Sequence, residues 1–375
     1  MTAASRPRAW LGALWLVATV PALLGALAAR AARDDLLRPY AAFPAPGVAV
    51  EIPSGAHGAE IGRRLEEAGV VPSALLFRAY LRAEGLEGRL RAGEYRFEGA
   101  ASPAEVARKL VRGEVVLHAV TVPEGLTVEE TARALAAPGW WSEEEVRRAL
   151  AHPEWVRDMD PRATTLEGYL FPETYTFSRG TPAREIVRAM IARFRRVCGP
   201  PERVRAAGLG FSTRQIATLA SLVEKEARLP EERPVVASVI HNRLRLGMKL
   251  EVDATVIHAL RRQGRWNGSL LLDDLKVEDP YNTYLAPGLP PGPICSPGEA
   301  SLRAALRPAE TAYLYYVVDP DGGGGHRFSR SLAEHQQAVW RYRQDRRSQR
   351  REAAPAPAGP LPPPAAGGPG PADQD

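Results

Sequence analysis

No charged residue interrupts the chain from Trp10 to Ala29, a run of 20 residues. At about 1.5 Å per residue, a helix of this length matches the thickness of a bilayer's hydrocarbon core. A cleaved export signal has a shorter apolar region, so the run reads as an uncleaved anchor. Ala26-Leu27-Ala28 also forms an acceptable cleavage pattern, and with either outcome the bulk of the chain is expected to be exported. Arg6 and Arg8 precede the run, and Arg30 and Arg33 follow it, so the flanking charges are nearly balanced. At the opposite end, residues 347–375 are dominated by Pro, Ala and Gly and are expected to form a disordered tail, because they cannot bury a core. Folded domains must lie between these two limits.

The chain has 375 residues, enough for two modest domains with tails. Its 45% hydrophobic and 25% charged content is that of a globular protein. The 49 basic and 44 acidic residues leave a net charge of +5, with Arg and Glu interleaved rather than gathered on one basic face. That argues against a nucleic-acid partner. The only cysteines, Cys198 and Cys295, fit no metal spacing and no disulfide framework; whether they pair with each other is open. The histidines are scattered and no HExxH occurs, so neither a metal site nor a cofactor is expected.

Residues 50–65, VEIPSGAHGAEIGRRL, share a frame with residues 120–135, VTVPEGLTVEETARAL. Each reads as a short strand, a turn and a helix. With RAGEYRF as a second strand, Val48 to about Arg112 reads strand–helix–helix–strand. Further on, Ser212 and Gln215 make a capping box for a helix over residues 212–227. Pro234 to Leu246 forms another helix, stopped by Gly247. MKLEVD alternates like a strand, and Asp253 is placed to cap the helix after it. Ser296, Pro297 and Glu299 open a further helix. AYLYYVV and GHRFS read as strands joined by a Gly-rich turn, and Ser331 with Glu334 caps the last helix. The fold class is α+β.

Two carboxylates near the end of the 212–227 helix are candidate acids. On a helical wheel, Glu224 and Glu226 flank the apolar face of Ile216, Leu219, Ala220, Val223 and Ala227 at about 80° on opposite sides. Glu224 borders Ala217, Ala220 and Ser221, whose small size leaves room for another chain or a ligand; Glu226 borders Leu219 and Leu222. The structural alternative for Glu224 is an i,i+4 pair with Arg228. The loop YNTYLAPGLPPGPIC offers Tyr281, Asn282 and Tyr284, flat rings and an amide suited to sugars, or equally a buried turn. EGYLFPETY offers the same mix, with Glu167 and Glu173 as reserve acids.

LEGYLFPETYTF, LASLVEKEA, ASVIHNRLRLGMKLEVDATV, YNTYLAPGLPPGPICSPGEASLRAAL and YLYYVV with HRFSRSLAEH, in this order, resemble the endolytic murein transglycosylase family from about residue 48 to 343. The resemblance implies a cytoplasmic segment (1–9), a single-pass helix (10–29), a linker (30–47), a LysM-like domain (48–118), a catalytic domain (119–346) and the tail (347–375). It implies an inner-membrane protein with its catalytic domain on the extracytoplasmic side. Its partners would be peptidoglycan glycan strands, the membrane and peptidoglycan synthases. The family's catalytic glutamate is expected on the first Glu of VEKE, Glu224. Lys225 stands where many other lytic transglycosylases have Ser. Asn242, Asp253, Tyr281, Asn282 and Tyr284 are the expected substrate-binding residues.

The implied reaction cuts the β-1,4 bond between N-acetylmuramic acid and N-acetylglucosamine within strands, terminating or trimming nascent ones. The muramic acid's own 6-hydroxyl replaces water, so one Glu suffices as acid and then base. Such an acid needs a raised pKa, which burial in an apolar setting supplies. The alternatives are a membrane-anchored wall-binding protein without activity, and a secreted hydrolase that leaves reducing ends.

Overall fold

A computed structural model describes Leu23, Ala26, Leu27, residues 30–31, 33–319 and 323–352. The expected anchor therefore lies outside the described residues except at Leu23, Ala26 and Leu27, and so does the tail beyond residue 352. Among the described residues no helix is long and apolar enough to cross a membrane. The chain divides into two compact units between Val197 and Cys198.

The first unit begins with β1 (Val48–Ile52), α1 (Gly58–Glu67), α2 (Ala74–Ala83) and β2 (Gly93–Phe97), followed by α3 (Pro103–Arg112). β1 and β2 pair antiparallel, with Val48 opposite Phe97 and Ile52 opposite Gly93. The strand–helix–helix–strand order is thus present, closed by a third helix. Val50, Ile52, Ile61, Leu65, Phe77, Leu81, Tyr95 and Leu110 fill one core. Burying each large apolar side chain contributes roughly 1.5–3 kcal/mol. Tyr95 enters that core because its hydroxyl is satisfied, donating to Arg91 O at 2.7 Å. Gly113 ends α3 in the left-handed region (φ 69°), and a Cβ there would lie 2.4 Å from Arg91 Cδ.

The second half of the repeat forms β3 (Leu117–Thr121) and α4 (Val128–Ala136), then α5 (Glu143–Leu150). β4 (Thr174–Ser178) returns antiparallel to β3, and α6 (Ala183–Val197) ends the unit. Only the end of the aromatic stretch 164–177 is strand. Before it, Leu166, Tyr169, Leu170 and Phe171 are buried in turns. Residues 119–197 therefore group with the first unit. Arg179 near Glu51 and Glu94, and His118 on Glu94 at 2.8 Å, tie β4 and β3 to β1 and β2.

The second unit contains α7 (Pro200–Gly208), α8 (Thr213–Glu226), α9 (Arg233–Arg245), α10 (Asp253–Arg262), α11 (Glu299–Leu306), the hairpin β5 (Tyr315–Val318) with β6 (His326–Ser329), and α12 (Leu332–Glu352). The expected capping box of α8 forms: Ser212 Oγ accepts from Gln215 N, and the Gln215 side chain accepts from Ser212 N at 2.9 Å. α8 is buried along its length from Ile216 to Val223 and packs against α9, α10 and α11.

Three local expectations are corrected. MKLEVD is not a strand: Glu251 adopts φ 53°, which breaks the extended path, and its N–H donates to Thr283 O at 3.2 Å. Asp253 is the first residue of α10, not its cap; the cap is Val252, whose N–H donates to Thr283 Oγ1 at 3.0 Å. The N-cap of α11 is Gly298 rather than Ser296, whose hydroxyl is buried without a partner.

Candidate active site

The small residues of α8 do admit a close approach, and what approaches is the protein's own chain. Ile294 N donates to Ser221 Oγ at 3.0 Å, and Cys295 Sγ lies 3.5 Å from Ser221 O. Cys198 and Cys295 are both buried free thiols. With this loop bonded to Ser221, α8 leaves the core at its C-terminal end in its last turn, which carries Glu224, the exposed Lys225 and Glu226.

Glu224 is 6% exposed, yet its surroundings are polar. Oε1 lies 3.4 Å from Arg233 Nη2, and Oε2 accepts the Gly298 N–H at 2.9 Å. Gly298 is the N-cap of α11, so this carboxylate sits at a helix N-terminus, where negative charge is stabilised. Arg233 is anchored in turn by donating Nε–H to Ser301 Oγ at 3.1 Å. Glu224 thus joins the ends of α8, α9 and α11. Its ionic partner is Arg233, on the next helix, rather than the Arg228 expected from helix spacing.

The environment expected for a catalytic acid occurs two residues on. Glu226 is partly buried, and desolvation pushes its carboxyl pKa up; the negative charge of Asp253 adds to the rise. The Tyr316 hydroxyl, donating to Oε2 at 2.8 Å, and the nearby His326 oppose it. Tyr316 itself is pushed well above the usual tyrosine value by burial and by Glu226, so its hydroxyl stays protonated and remains a donor. Beside this pair, Tyr284 donates to Asp253 Oδ1 at 2.6 Å. His326 is clamped by Glu232, which accepts from its backbone N–H at 2.6 Å and meets Nδ1 at 2.7 Å. The cluster draws one side chain each from the end of α8, the start of α10, the 281–284 turn, β5, β6 and the turn before α9. Asp253 is exposed, which leaves the cluster open to solvent on that side.

Of the residues expected from the sequence, Asp253 and Tyr284 join Glu226. Three others are committed elsewhere. Asn242 is 5% exposed; its Nδ2 donates to Thr311 O and Tyr313 O, both at 2.9 Å, and its Oδ1 accepts from Arg245. Asn282 is fully buried, donating to Leu275 O and Val277 O, with Oδ1 accepting the Tyr284 N–H at 2.9 Å. It builds the turn that aims Tyr284. The Tyr281 ring lies 4.7 Å from the His258 ring at a 44° tilt and 4.6 Å from the Arg262 guanidinium over its face, so the ring is engaged internally. Glu173 is ion-paired with Arg193 at 2.7 Å. Glu167 caps α4, accepting the Val128 N–H at 3.2 Å. Tyr316, His326 and Glu232 were not singled out from sequence. Two of them lie in segments that read only as strands, and one signal was a Tyr and a His in motifs already carrying the family resemblance.

The sequence profile of the YceG-like family matches residues 50–341. A protein of Bacillus subtilis named endolytic murein transglycosylase is 32% identical over 324 residues, which cover 82% of this chain and 88% of that protein. One of Streptococcus pneumoniae with the same name is 30% identical over 320 residues, 77% of this chain; the chain spans 57% of the length of that relative. The crystal structure of a YceG-like protein from Listeria monocytogenes superposes with a TM-score of 0.53 at 32% identity, covering 78% of this chain and 99% of the other. With 292 consecutive residues inside the matched span, the chain belongs to the YceG-like family.

Proposed function

We propose that this protein is an endolytic murein transglycosylase that cuts the β-1,4 bond between N-acetylmuramic acid and N-acetylglucosamine within peptidoglycan strands, with Glu226 as its single acid and base. The assignment moves the acid from Glu224, where the sequence pointed, because the two glutamates differ in what holds them. Glu224 is occupied by a guanidinium and a helix N-terminus. Glu226 is desolvated, faces a neighbouring negative charge and is held by one hydroxyl. That last observation carries the reading: desolvation raises the Glu226 pKa above the ordinary carboxylate value, which is the direction a general acid requires.

In the first step the Glu226 proton passes to the glycosidic oxygen as the bond to C1 of muramic acid breaks. Negative charge on Glu226 and Asp253 favours the developing positive charge at C1. The 6-hydroxyl oxygen of the same sugar then bonds to C1, and its proton returns to Glu226. Atoms balance without water, and the enzyme ends in its starting protonation state. Because the nucleophile is tethered to the reacting carbon, no second carboxylate has to activate one.

We further propose that residues 48–118 serve as a LysM-like wall module, on the strength of the strand–helix–helix–strand order, and that the run Trp10–Ala29 anchors the chain in the inner membrane with both units outside the cytoplasm. The test of the acid is a pair of variants assayed for 1,6-anhydro ends. Glu226→Gln is expected to lower the rate by about 10²–10⁴ or more while the fold survives. Glu224→Gln is expected to melt earlier yet retain turnover. The reverse pattern would return the acid to Glu224.

A further inference from the structure

We infer that Tyr316 is the positioning residue of this site: its hydroxyl fixes which oxygen of Glu226 carries the catalytic proton, and the Glu232–His326 clamp holds Tyr316 in place. The inference rests on Glu226 being the acid.

The argument starts from hydrogen-bond chemistry. A tyrosine hydroxyl that donates to Glu226 Oε2 at 2.8 Å occupies a lone pair of that oxygen. A neutral carboxyl has one proton, and with Oε2 accepting, that proton resides on Oε1. No partner among the described residues holds Oε1. The Tyr316 contact thus presents the acid proton on the free oxygen and stabilises the carboxylate once the proton has left. Charge-assisted hydrogen bonds of this type are the stronger ones, so the contact tightens as the reaction proceeds.

Tyr316 needs its own support, because β5 belongs to a two-stranded hairpin, which is marginally stable in isolation. The His326 ring packs edge-on against the Tyr316 ring, with centroids 5.3 Å apart at 77°. Glu232 grips His326 at both its backbone N–H and Nδ1, and the two side chains are only 13% and 7% exposed. The hairpin is therefore tied at two points, to the end of α8 through Glu226 and to the turn before α9 through Glu232. The charged and titratable groups facing Glu226 are Asp253 from α10, Tyr284 from the 281–284 turn, Tyr316 from β5 and His326 from β6. Asp253 opposes ionisation of Glu226, and Tyr316 and His326 favour it.

The test uses the full-length protein and two variants that pull in opposite directions. Tyr316→Phe removes the donor but keeps the ring against His326, so the melting temperature should change little. The rate of anhydro-end formation is expected to fall about tenfold or more. The alkaline limb of the pH–rate profile should move to higher pH, because a contact that favours the carboxylate is gone. Asp253→Asn should move the same limb to lower pH, because a like charge is gone. Carboxyl ¹³C resonances of labelled glutamate, with Glu226 assigned by its loss in Glu226→Gln, report the same two shifts without turnover. A Tyr316→Phe protein in which the Glu226 signal titrates as in wild type, or at lower pH, would overturn the inference. A wild-type protein that forms no anhydro ends would instead overturn the proposed activity, and the titration would still decide whether Tyr316 governs Glu226.

Discussion

Glu167 and Glu224 are two partly buried carboxyls that serve the fold through different partners. Glu224 meets a guanidinium and a helix N-terminus. Glu167 meets one backbone N–H through Oε2 while its Oε1 is buried without a partner, and burial pushes its pKa up to about 8, with Glu129 and Glu130 adding to the rise. In the unfolded chain this carboxyl ionises near pH 4.5. Between that value and about pH 8 the folded state holds a proton that the unfolded state has released, so stability falls as pH rises across the window. Glu167→Gln cannot ionise and should escape the loss. The variant is expected to match wild type in urea unfolding near pH 4.5 and to exceed it by roughly 1–3 kcal/mol at pH 8; equal stability at both values would show that Glu167 is ionised in the fold. At this scale helix geometry narrowed the acid to two residues, and it was the family resemblance that then pointed to Glu224. Glu224 and Glu226 are symmetric on their own helix, and the groups that distinguish them, Gly298 and Tyr316, lie 74 and 90 residues away in the chain.

Elements were legible where their signals are local. The capping box of α8, the Gly247 stop after α9 and the Ser331 cap of α12 depend on residues within one turn, and all three form. The alternation in MKLEVD has a real cause, since Leu250 and Val252 are buried and Lys249 and Glu251 less so. An irregular segment leaning on Thr283 satisfies that pattern as well as a ladder does, and the pattern cannot tell the two apart. The start of α11 was misread for a different reason: its orphan N–H is satisfied by Glu224 from another helix, which relieves the local sequence of supplying a cap. The small residues of α8 signalled a close approach correctly without naming what approached. The 20-residue run Trp10–Ala29 belongs to this scale too, because its length is the whole argument for an anchor. Edman sequencing of the membrane-extracted protein is expected to return the intact N-terminus; a chain beginning at Ala29 would show a cleaved signal.

For the whole molecule, the repeat at residues 50–65 and 120–135 was visible in sequence, and both copies lie in the first unit. The candidate acid, its hydroxyl partner and the Asp253–Tyr284 pair all belong to the second. Which segments group together was less legible, because β3 meets β4 across 53 residues, as Thr121 opposite Thr174 illustrates. The central claim is that one carboxyl, helped by the substrate's own hydroxyl, cuts strands without water. The charge of Asp253 acts on Glu226, so a two-carboxylate hydrolase is the rival chemistry, and the two chemistries leave different ends. Mass spectrometry of purified uncrosslinked glycan strands after incubation with the full chain separates them. Internal cuts ending in 1,6-anhydromuramic acid, with no added water, are the predicted result; fragments heavier by one water and carrying reducing ends, or strands left intact, would contradict it.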